Sequence, residues 1–198
     1  MVIITFFHID GQLAPQFTSV GPVVYHVVLM NTPAPTIPYK IAVLCYLYDE
    51  PGRLLLLHRA QEPNKGLYSP IGGKLHMDEG ESPAACALRE IHEEVELELQ
   101  PADIHLTGLV SETAFGDHTH WLMFLYEVTR PVQVKRMQFR EGTLEWHHWD
   151  DIPNLKIPQT DREVIYPLMR KYHEEFFHVH IDCRGGRCDW RLEHPIQS

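Results

Sequence analysis

The stretch Gly72–Leu97, GGKLHMDEGESPAACALREIHEEVEL, carries the strongest local signals in the chain. Ser82 and Pro83 predict the start of a helix, because serine caps helix N-termini well and proline suits the first helical position. The helix is predicted to run to about Val95. At about 100° per residue, its apolar side chains form one narrow stripe, which predicts packing against a sheet. The stripe consists of Ala84, Leu88, Ile91 and Val95.

The opposite side of this helix is predicted to hold three neighbouring carboxylates, those of Glu90, Glu93 and Glu94. Clustered negative charge near a helix C-terminus is unfavourable in isolation, because the carboxylates repel one another and the helix dipole there favours cations. A hard divalent cation such as Mg²⁺ would relieve this repulsion through oxygen ligands. Before the helix, Gly72 and Gly73 permit close approach of the backbone to a metal or a phosphate. For the glutamates taken alone, a solvated acidic helix face is the alternative.

The same residues resemble the box of the Nudix hydrolase family, G-x5-E-x7-R-E-U-x-E-E-x-G-U, in which U is aliphatic. Its positions are filled in order by Gly73, Glu81, Arg89-Glu90, Ile91, Glu93-Glu94 and Leu97. Two positions depart from the pattern. Seven residues separate Gly73 from Glu81, so either the loop carries a two-residue insertion or Glu79 takes over the role of Glu81. Glu96 stands where the family has glycine.

The resemblance implies a metal site with supporting residues. The implied ligands of Mg²⁺ or Mn²⁺ are Glu90, Glu93, Glu94 and the carbonyl oxygen of Gly72. Arg89 would orient the glutamates, and Glu81 would support the loop that Gly73 opens. In MutT-like members a further glutamate arrives from a loop before a later strand, which makes Glu141 the candidate and Glu145 the reserve. Glu93 or Glu141 would act as general base, and an exposed loop carboxylate is the alternative for Glu141.

Candidate substrate contacts lie outside the helix. Arg59 and Lys74 are candidate phosphate ligands, and a plain surface charge is the alternative for each. Asp161 lies in a region that borders the base pocket of MutT-like enzymes, so it is a candidate contact for a purine edge. Its alternative, favoured on the sequence, is structural, within a capping box Thr160–Glu163 that starts a helix. Four aromatic side chains are suited to base stacking or to core packing: Tyr68, Phe115, Trp121 and Phe139.

Apolar periodicity predicts the elements around the box. Two strands, Lys40–Tyr48 and Arg53–His58, are predicted to form a hairpin. The remaining predicted elements are strands over Leu106–Ala114, His120–Val128 and Leu144–Trp149, and a helix from Thr160 to about Tyr172. The order β-β-α-β-β-β-α predicts an α/β fold in which a mixed sheet is sandwiched between helices. The resemblance implies the same Nudix fold.

The chain divides into three predicted segments. Residues 1–39 form an N-terminal extension that ends in a proline-rich linker, residues 40–172 form the Nudix domain, and residues 173–198 form a C-terminal extension. In the last segment, Phe177–Cys183 and Cys188–Leu192 flank a glycine-containing turn and predict a terminal β-hairpin.

The same C-terminal segment contains His178, His180, Cys183 and Cys188, a pattern that superficially suggests zinc. The spacing fits no standard structural zinc site, and alternation along a strand places the two histidines on one face in any case. Cys183 and Cys188 are predicted to face each other across the hairpin, which would permit a disulfide, although a reducing compartment disfavours one.

Composition narrows the classes of function. The chain has 198 residues, of which 27 are acidic and 17 basic, and its formal net charge is −10. A negative surface repels phosphate backbones, so we expect no nucleic-acid partner, whereas a divalent cation lets small polyphosphates approach. The four cysteines are too few and scattered for a disulfide framework, and the longest apolar runs are too short for a membrane span. We therefore expect a cytoplasmic location, a small-molecule nucleotide partner and no membrane partner, with a homodimer left open.

The expected activity is metal-dependent cleavage of the diphosphate bond in a nucleoside diphosphate linked to another group. Within this class, (deoxy)nucleoside triphosphates are favoured, including oxidised ones such as 8-oxo-dGTP, with release of a nucleoside monophosphate. ADP-ribose, a nucleoside diphosphate sugar or a dinucleoside polyphosphate is the alternative substrate. A Nudix-fold sensor that binds a nucleotide without cutting it also stays open, because the box carries an insertion.

Overall fold

A computed structural model describes residues 38–62, 64–116, 119–173 and 175–195. The predicted N-terminal extension lies outside the described residues up to position 37. The strands are β1 (Tyr39–Tyr46), β2 (Leu54–Arg59), β3 (Tyr68–Ser69), β4 (Ile104–Phe115), β5 (Thr119–Val128), β6 (Gln138–Phe139), β7 (Gly142–His147), β8 (Phe177–Asp182) and β9 (Asp189–His194). The α-helices are α1 (Pro83–Val95) and α2 (Tyr166–Lys171). None of the helices in the described ranges is both long and apolar enough to cross a membrane.

The strands form two sheets. The five-stranded sheet has the order β1-β5-β4-β8-β9, in which β1 pairs with β5 and β4 pairs with β8 in parallel. Its other pairs are antiparallel, as are all pairs of the four-stranded sheet β3-β2-β7-β6. The mixed sheet confirms the predicted α/β class. The predicted C-terminal hairpin is confirmed as β8–β9, and it extends the five-stranded sheet next to β4.

Alternate residues of β1 point into two different cores. Val43 and Cys45 pack beneath α1 with Ile91. On the other face, Tyr46 packs against the C-terminal helical region, where its ring meets that of Tyr166 edge-on at 6.2 Å. The five-stranded sheet therefore lies between the two helices, as predicted.

The predicted pairing of the first two strands as a hairpin in one sheet is wrong. The connection itself is tight, because the Leu55 N–H donates to the Leu47 carbonyl at 2.9 Å, and one isolated bridge joins Tyr48 to Leu54. Beyond this corner, β1 and β2 enter different sheets. The reason lies in β2, which is apolar throughout. All four residues of Leu54–Leu57 are fully buried, so β2 is covered on both faces and forms part of a second sheet.

Helix α1 begins and ends where the sequence predicts. The Ser82 hydroxyl accepts the Ala85 N–H at 3.2 Å. At the other end, Glu96 adopts left-handed backbone angles, φ 58° and ψ 33°, and its N–H donates to the His92 carbonyl. Glycine adopts this conformation without a steric penalty, whereas another residue loses about 1 kcal/mol. The glycine that the family has at this position thus allows the left-handed backbone at the end of the helix. Glu96 adopts the same backbone angles at a steric cost.

The second helical region is confirmed, but its predicted capping box is wrong. Thr160 has helical backbone angles and makes no side-chain capping bond, and a π-helical segment, Asp161–Ile165, leads into α2. Thr160 and Asp161 are only 4% and 9% exposed. Because they are buried, these side chains meet partners in the interior instead of capping a helix end, and the Thr160 hydroxyl bonds to the Glu112 carboxylate.

Candidate active site

Helix α1 directs Glu90 and Glu94 toward the loop that follows β3. Glu94 is 6% exposed, and its Oε2 accepts the Gly72 N–H at 3.2 Å. The Glu90 carboxylate lies over Gly73, where a Cβ atom would come within 2.1 Å of Oε1. The two glutamates are four residues apart and share one helix face. The fold thus brings the glycines and two of the glutamates of the box into direct contact.

The double glycine is held against β1. The Val43 N–H donates to the Gly73 carbonyl at 2.9 Å, and the Cys45 N–H donates to the Ile71 carbonyl at 2.8 Å. Gly72 lies between these two acceptors with φ 140°, and a Cβ atom there would lie 2.2 Å from the Val43 carbonyl oxygen. Only glycine fits this position. The Gly72 carbonyl is not one of the two acceptors that bind β1, and its role as a metal ligand stays a prediction.

Arg89 connects the loop to the helix. Its Nε and Nη2 donate to the two carboxylate oxygens of Glu81 at 2.8 and 3.0 Å, and its Nη1 donates to Glu90 Oε1 at 2.7 Å. The forked bond from Arg89 holds the pKa of Glu81 at about 2, well below its ordinary value. Glu79 is exposed instead, with Oε2 3.7 Å from His76 Nδ1. Glu81 is therefore the glutamate that binds Arg89, and its role in supporting the loop stays a prediction.

The two-residue insertion forms a local turn. The N–H groups of Glu79 and Glu81 both donate to the His76 carbonyl at 3.2 Å, and the His76 N–H donates back to Glu81 Oε2 at 2.9 Å. The turn closes on itself, so the added residues leave the bond between Glu81 and Arg89 intact.

Glu93 is the most exposed of the three glutamates predicted to cluster on this helix. Its side chain is 56% exposed, and its nearest cationic group is Arg89 Nη1 at 3.3 Å. Glu93 therefore reaches further into solvent than the neighbouring Glu94, which is 6% exposed. The two predicted roles of Glu93, metal ligand and general base, stay predictions.

The turn between β6 and β7 brings Glu141 to the cluster. Its Oε2 lies 3.7 Å from Arg59 Nη2, and its carbonyl accepts the Ala60 N–H at 2.7 Å. The reserve candidate, Glu145, is engaged elsewhere, since its Oε2 accepts the Tyr68 hydroxyl at 2.9 Å. The structure therefore places two sequence-predicted residues, Arg59 and Glu141, beside the box glutamates.

The electrostatics of this cluster suit a cation. Burial raises the pKa of Glu94 to about 8, and the negative charges of Glu90 and Glu141 add to the effect. Burial also raises the pKa of Glu90, against the opposing bond from Arg89. A nearby positive charge would favour the ionised form of each carboxyl.

The donor set fits Mg²⁺ by its chemistry, because it consists of carboxylate oxygens. Within the described ranges, no three His, Cys, Asp or Glu side chains converge into a metal centre of protein ligands alone. Mg²⁺ does not require such a centre, since one or two carboxylates plus substrate phosphates and water usually hold it. Glu90 and Glu94 can supply that pair.

The other two predicted substrate contacts, Lys74 and Asp161, lie in different places. Lys74 is exposed, and its carbonyl accepts a bond from Arg89 Nη2 at 3.3 Å. Asp161 is buried beside Glu112 of β4.

Glu112 is a residue that the sequence analysis missed. It is 3% exposed, and it accepts bonds from the Thr160 hydroxyl and, at 3.8 Å, from the Cys183 thiol. Burial raises the pKa of Glu112 to about 7, and burial together with the charge of Glu112 raises that of Asp161 to about 7. Strand alternation could have indicated that Glu112 is buried. It lies two residues from the apolar Val110, so both side chains point to the inward face.

The four aromatic candidates separate into different places. Trp121 is directly opposite Glu112 in the β4–β5 pair, so the two side chains share a sheet face, and Lys40 Nζ lies 5.3 Å from the Trp121 ring. Tyr68 stacks on His58 at 4.6 Å. Phe139 packs on the core beneath α1, and Phe115 is half-buried at the end of β4. Trp121 is therefore the aromatic candidate that neighbours the carboxyl pair.

The superficial zinc pattern is divided between two faces of β8. His178 and His180 lie on one face, where they contact Glu193 at 3.2 Å and Ser111 at 2.8 Å. Cys183 belongs to the core on the opposite face, with Val179 and Ile181. The histidines therefore have partners of their own.

Comparisons with known proteins concern the family of the chain and its fold. The family described as NUDIX domain matches residues 38–168. An uncharacterised Nudix hydrolase of Bacillus subtilis, YvcI, is 28% identical over 130 residues, which cover 64% of this chain and 77% of that protein. An RNA pyrophosphohydrolase of Gluconobacter oxydans is 38% identical over 113 residues, or 56% of each chain.

The fold also has solved counterparts. The MutT protein of Bacillus halodurans superposes with a TM-score of 0.63 at 23% identity, covering 78% of this chain and 97% of that one. At this identity the likeness concerns the fold. The family match spans more than half of the sequence and includes the whole box. The chain belongs to the NUDIX family, as a hydrolase of phosphorus-containing acid anhydrides in nucleoside diphosphate derivatives.

Proposed function

We propose that this hydrolase is a Mg²⁺-dependent pyrophosphohydrolase of nucleoside triphosphates, oxidised purine forms included, that releases a nucleoside monophosphate. The observation that carries the proposal is the contact of Glu90 and Glu94 with Gly73 and Gly72, with the charge of Glu141 acting on Glu94 and Arg59 lying 3.7 Å from Glu141. The carboxylates can hold a metal ion, and the metal together with the guanidinium of Arg59 can bind the phosphates of a substrate.

In this proposal, Glu90 and Glu94 hold Mg²⁺ or Mn²⁺, with the Gly72 carbonyl as a further ligand. When bound, the metal supplies positive charge to the diphosphate oxygens and lowers the pKa of water. Arg89 fixes the Glu90 carboxylate through its bond of 2.7 Å. Glu93 would join the ligands only after its side chain turns away from Arg89.

The remaining polar groups have separate tasks. Arg59 binds the phosphates, because its guanidinium supplies a positive charge 3.7 Å from Glu141. Glu141 is the general base, since its side chain is 47% exposed and so reaches water. Glu93 is the weaker candidate for the base because Arg89 already engages it.

The base of the nucleotide is proposed to contact Asp161 and Glu112. Their pKa values of about 7 allow one carboxyl to be protonated while the other is ionised, so that one donates and the other accepts a hydrogen bond. A purine edge offers both kinds of group. Trp121, on the same sheet face as Glu112, would stack on the base.

A second candidate substrate is the 5′-triphosphate end of RNA. The observation that favours it is the 38% identity with the Gluconobacter RNA pyrophosphohydrolase. The net charge of −10 opposes it, because a negative surface repels the rest of the RNA chain.

A product-resolved hydrolysis assay tests the proposal. The substrates are dNTPs, 8-oxo-dGTP, ADP-ribose, nucleoside diphosphate sugars, dinucleoside polyphosphates and a short 5′-triphosphorylated RNA, each with and without Mg²⁺. We expect a nucleoside monophosphate and pyrophosphate from the triphosphates. In Glu141→Gln we expect kcat to fall by about 100-fold or more, the usual contribution of a general base, whereas the control Glu145→Gln keeps its activity.

Two outcomes would contradict the proposal. Cleavage of the RNA end alone would transfer the assignment to the second candidate. Nucleotide binding without cleavage of any substrate, with or without Mg²⁺, would favour the sensor that the sequence leaves open.

A further inference from the structure

Cys183 and Cys188 lie on either side of the turn that joins β8 to β9. Both are free cysteines, and their Sγ atoms are 2.7 Å apart. They are adjacent to Asp182 and Asp189, the last register pair before the turn. The Cys183 N–H donates to the Thr113 carbonyl at 2.9 Å, which anchors this end of β8 to β4. The two sulfur atoms are therefore held together by the strand ladder.

We propose that this pair is a redox modification site, at which Cys183 and Cys188 form a reversible intramolecular disulfide. The proposed hydrolysis uses neither thiol. Cys188 is half-exposed and so accessible to an oxidant, whereas Cys183 is 6% exposed. The other two cysteines, Cys45 and Cys86, are fully buried, which shields them from the same oxidant.

The oxidant is a low-molecular-weight disulfide of the glutathione class. The Cys188 thiolate attacks one sulfur of that disulfide, forms a mixed disulfide and releases the first small thiolate. The Cys183 thiolate then attacks the Cys188 sulfur and releases the second. Both cysteines lose a proton, and two electrons reduce the small disulfide to two thiols. Burial raises the pKa of Cys183 well above its ordinary value, so the accessible Cys188 attacks first.

Oxidation would change the surroundings of Glu112. In the reduced chain, the Cys183 thiol donates to Glu112 Oε1 at 3.8 Å, and a disulfide has no proton to donate. Glu112 would keep the bond from Thr160, which precedes Asp161. This consequence rests on the proposed function, in which Glu112 and Asp161 contact the base. Loss of one hydrogen bond should weaken substrate binding without removing the carboxylates that carry out the cleavage.

Peptide mapping tests the disulfide itself. The full chain is incubated with glutathione disulfide, alkylated and digested with trypsin, which cleaves after Arg184 and Arg187. A bond between Cys183 and Cys188 then links two separate peptides. We expect all four thiols of the chain to be alkylated in denaturant before oxidation and two afterwards, with full recovery in reductant. Cys188→Ser should give no linked peptide.

The disulfide assignment fails if four thiols remain after oxidation. It also fails if Cys188 carries only a glutathione adduct, or if the new links involve Cys45 or Cys86.

Steady-state hydrolysis by the reduced and oxidised chains tests the effect on Glu112. We expect KM to rise about fivefold on oxidation, the factor that corresponds to about 1 kcal/mol for one hydrogen bond, with kcat retained. Cys188→Ser should keep the same KM with and without oxidant. A linked peptide with an unchanged KM would overturn the coupling and leave the disulfide assigned. A chain that hydrolyses nothing in either form would overturn the proposed function and the coupling with it, while the peptide map still decides the disulfide.

Discussion

The Glu90 carboxylate occupies the space that a side chain at Gly73 would need, since a Cβ atom there would lie 2.1 Å from Oε1. We expect Gly73→Ala to keep its fold, because the end of the Glu90 side chain can move, and to lose most of its hydrolysis. Gly72→Ala should instead lose stability, because its Cβ would lie 2.2 Å from the Val43 carbonyl and its φ of 140° suits only glycine. Melting curves and kcat measured on both variants separate the two effects.

Activity in Gly73→Ala equal to that of the parent chain would contradict this account. The position of the Glu90 carboxylate would then be irrelevant to catalysis.

Glu81 is linked to the cluster through Arg89, which it binds with two carboxylate oxygens at 2.8 and 3.0 Å. Glu81→Gln keeps the shape of the side chain and removes its charge. We expect kcat/KM to fall about 10–100-fold, the usual loss for a residue that orients a metal ligand. Glu79→Gln is the matched control in the same turn, and it should be unaffected because Glu79 is exposed. Equal losses in both variants would indicate a general effect on the loop instead.

At the scale of elements, the end of α1 offers a stabilising substitution. Glu96 holds φ 58° where glycine is unstrained, so Glu96→Gly should raise the free energy of unfolding by about 1 kcal/mol. The ion pair with Arg136 at 3.2 Å is exposed, so its loss changes little. Glu96→Ala is the control, because it loses the ion pair and keeps the strained backbone. Urea unfolding should rank Glu96→Gly above both the parent chain and Glu96→Ala, and equal stability of the two variants would argue against strain.

The elements also show what local sequence signals can predict. The sequence predicts helix α1 to within a residue, because the signals that define it, the Ser82 cap, Pro83 and the apolar period, are all local. The predicted pairing of β1 with β2 is wrong. β1 pairs instead with β5, and β2 pairs with β3 and β7, and local sequence signals do not reveal which strands from elsewhere in the chain become partners. The capping box at Thr160 was wrong for a similar reason, since Glu112, far away in the sequence, supplies the partner of its hydroxyl.

At the scale of the whole molecule, site residues set by local sequence signals are predicted, whereas those that depend on contacts distant in the sequence are missed. The motif spacing is sufficient to name Arg89 and Glu81 as site residues, whereas the bond between them is seen only in the structure. A helix period gives the direction of a side chain but not its depth, so the burial of Glu94 and the exposure of Glu93 could not be foreseen. Glu112 was missed because its importance depends on Asp161, which lies 49 positions further along the chain.

The buried pair Glu112 and Asp161 predicts a pH dependence of stability. Both pKa values are about 7 in the folded chain, against ordinary values of 4.5 and 3.8. Between about pH 4 and 7 the folded state binds more protons than the unfolded state, so stability should fall as the pH rises through this window and stay lower above it. In a chain of this size, each kcal/mol of unfolding free energy corresponds to a shift of roughly 2–4 °C in the melting temperature. We therefore expect the melting temperature to be several degrees lower at pH 8 than at pH 5.5.

The double variant Glu112→Gln, Asp161→Asn should flatten this dependence when melting is measured without divalent metal. Glu94 contributes with the same sign, since its pKa is about 8, and it is present in both chains. A double variant with the pH profile of the parent chain would show that the pair does not titrate in this window.

The Mg²⁺ dependence of hydrolysis by the parent chain and by Glu94→Gln tests most directly whether the buried carboxylates beside Gly72 hold the catalytic metal. Glu94→Gln retains an oxygen that can accept the Gly72 N–H, so the variant should fold. We predict that the parent chain needs Mg²⁺ and stops when it is chelated. Glu94→Gln should lose about 100-fold or more of its turnover, the upper end of the loss for a residue that only orients a metal ligand. Full turnover by Glu94→Gln, or by the parent chain in chelator, would contradict the account.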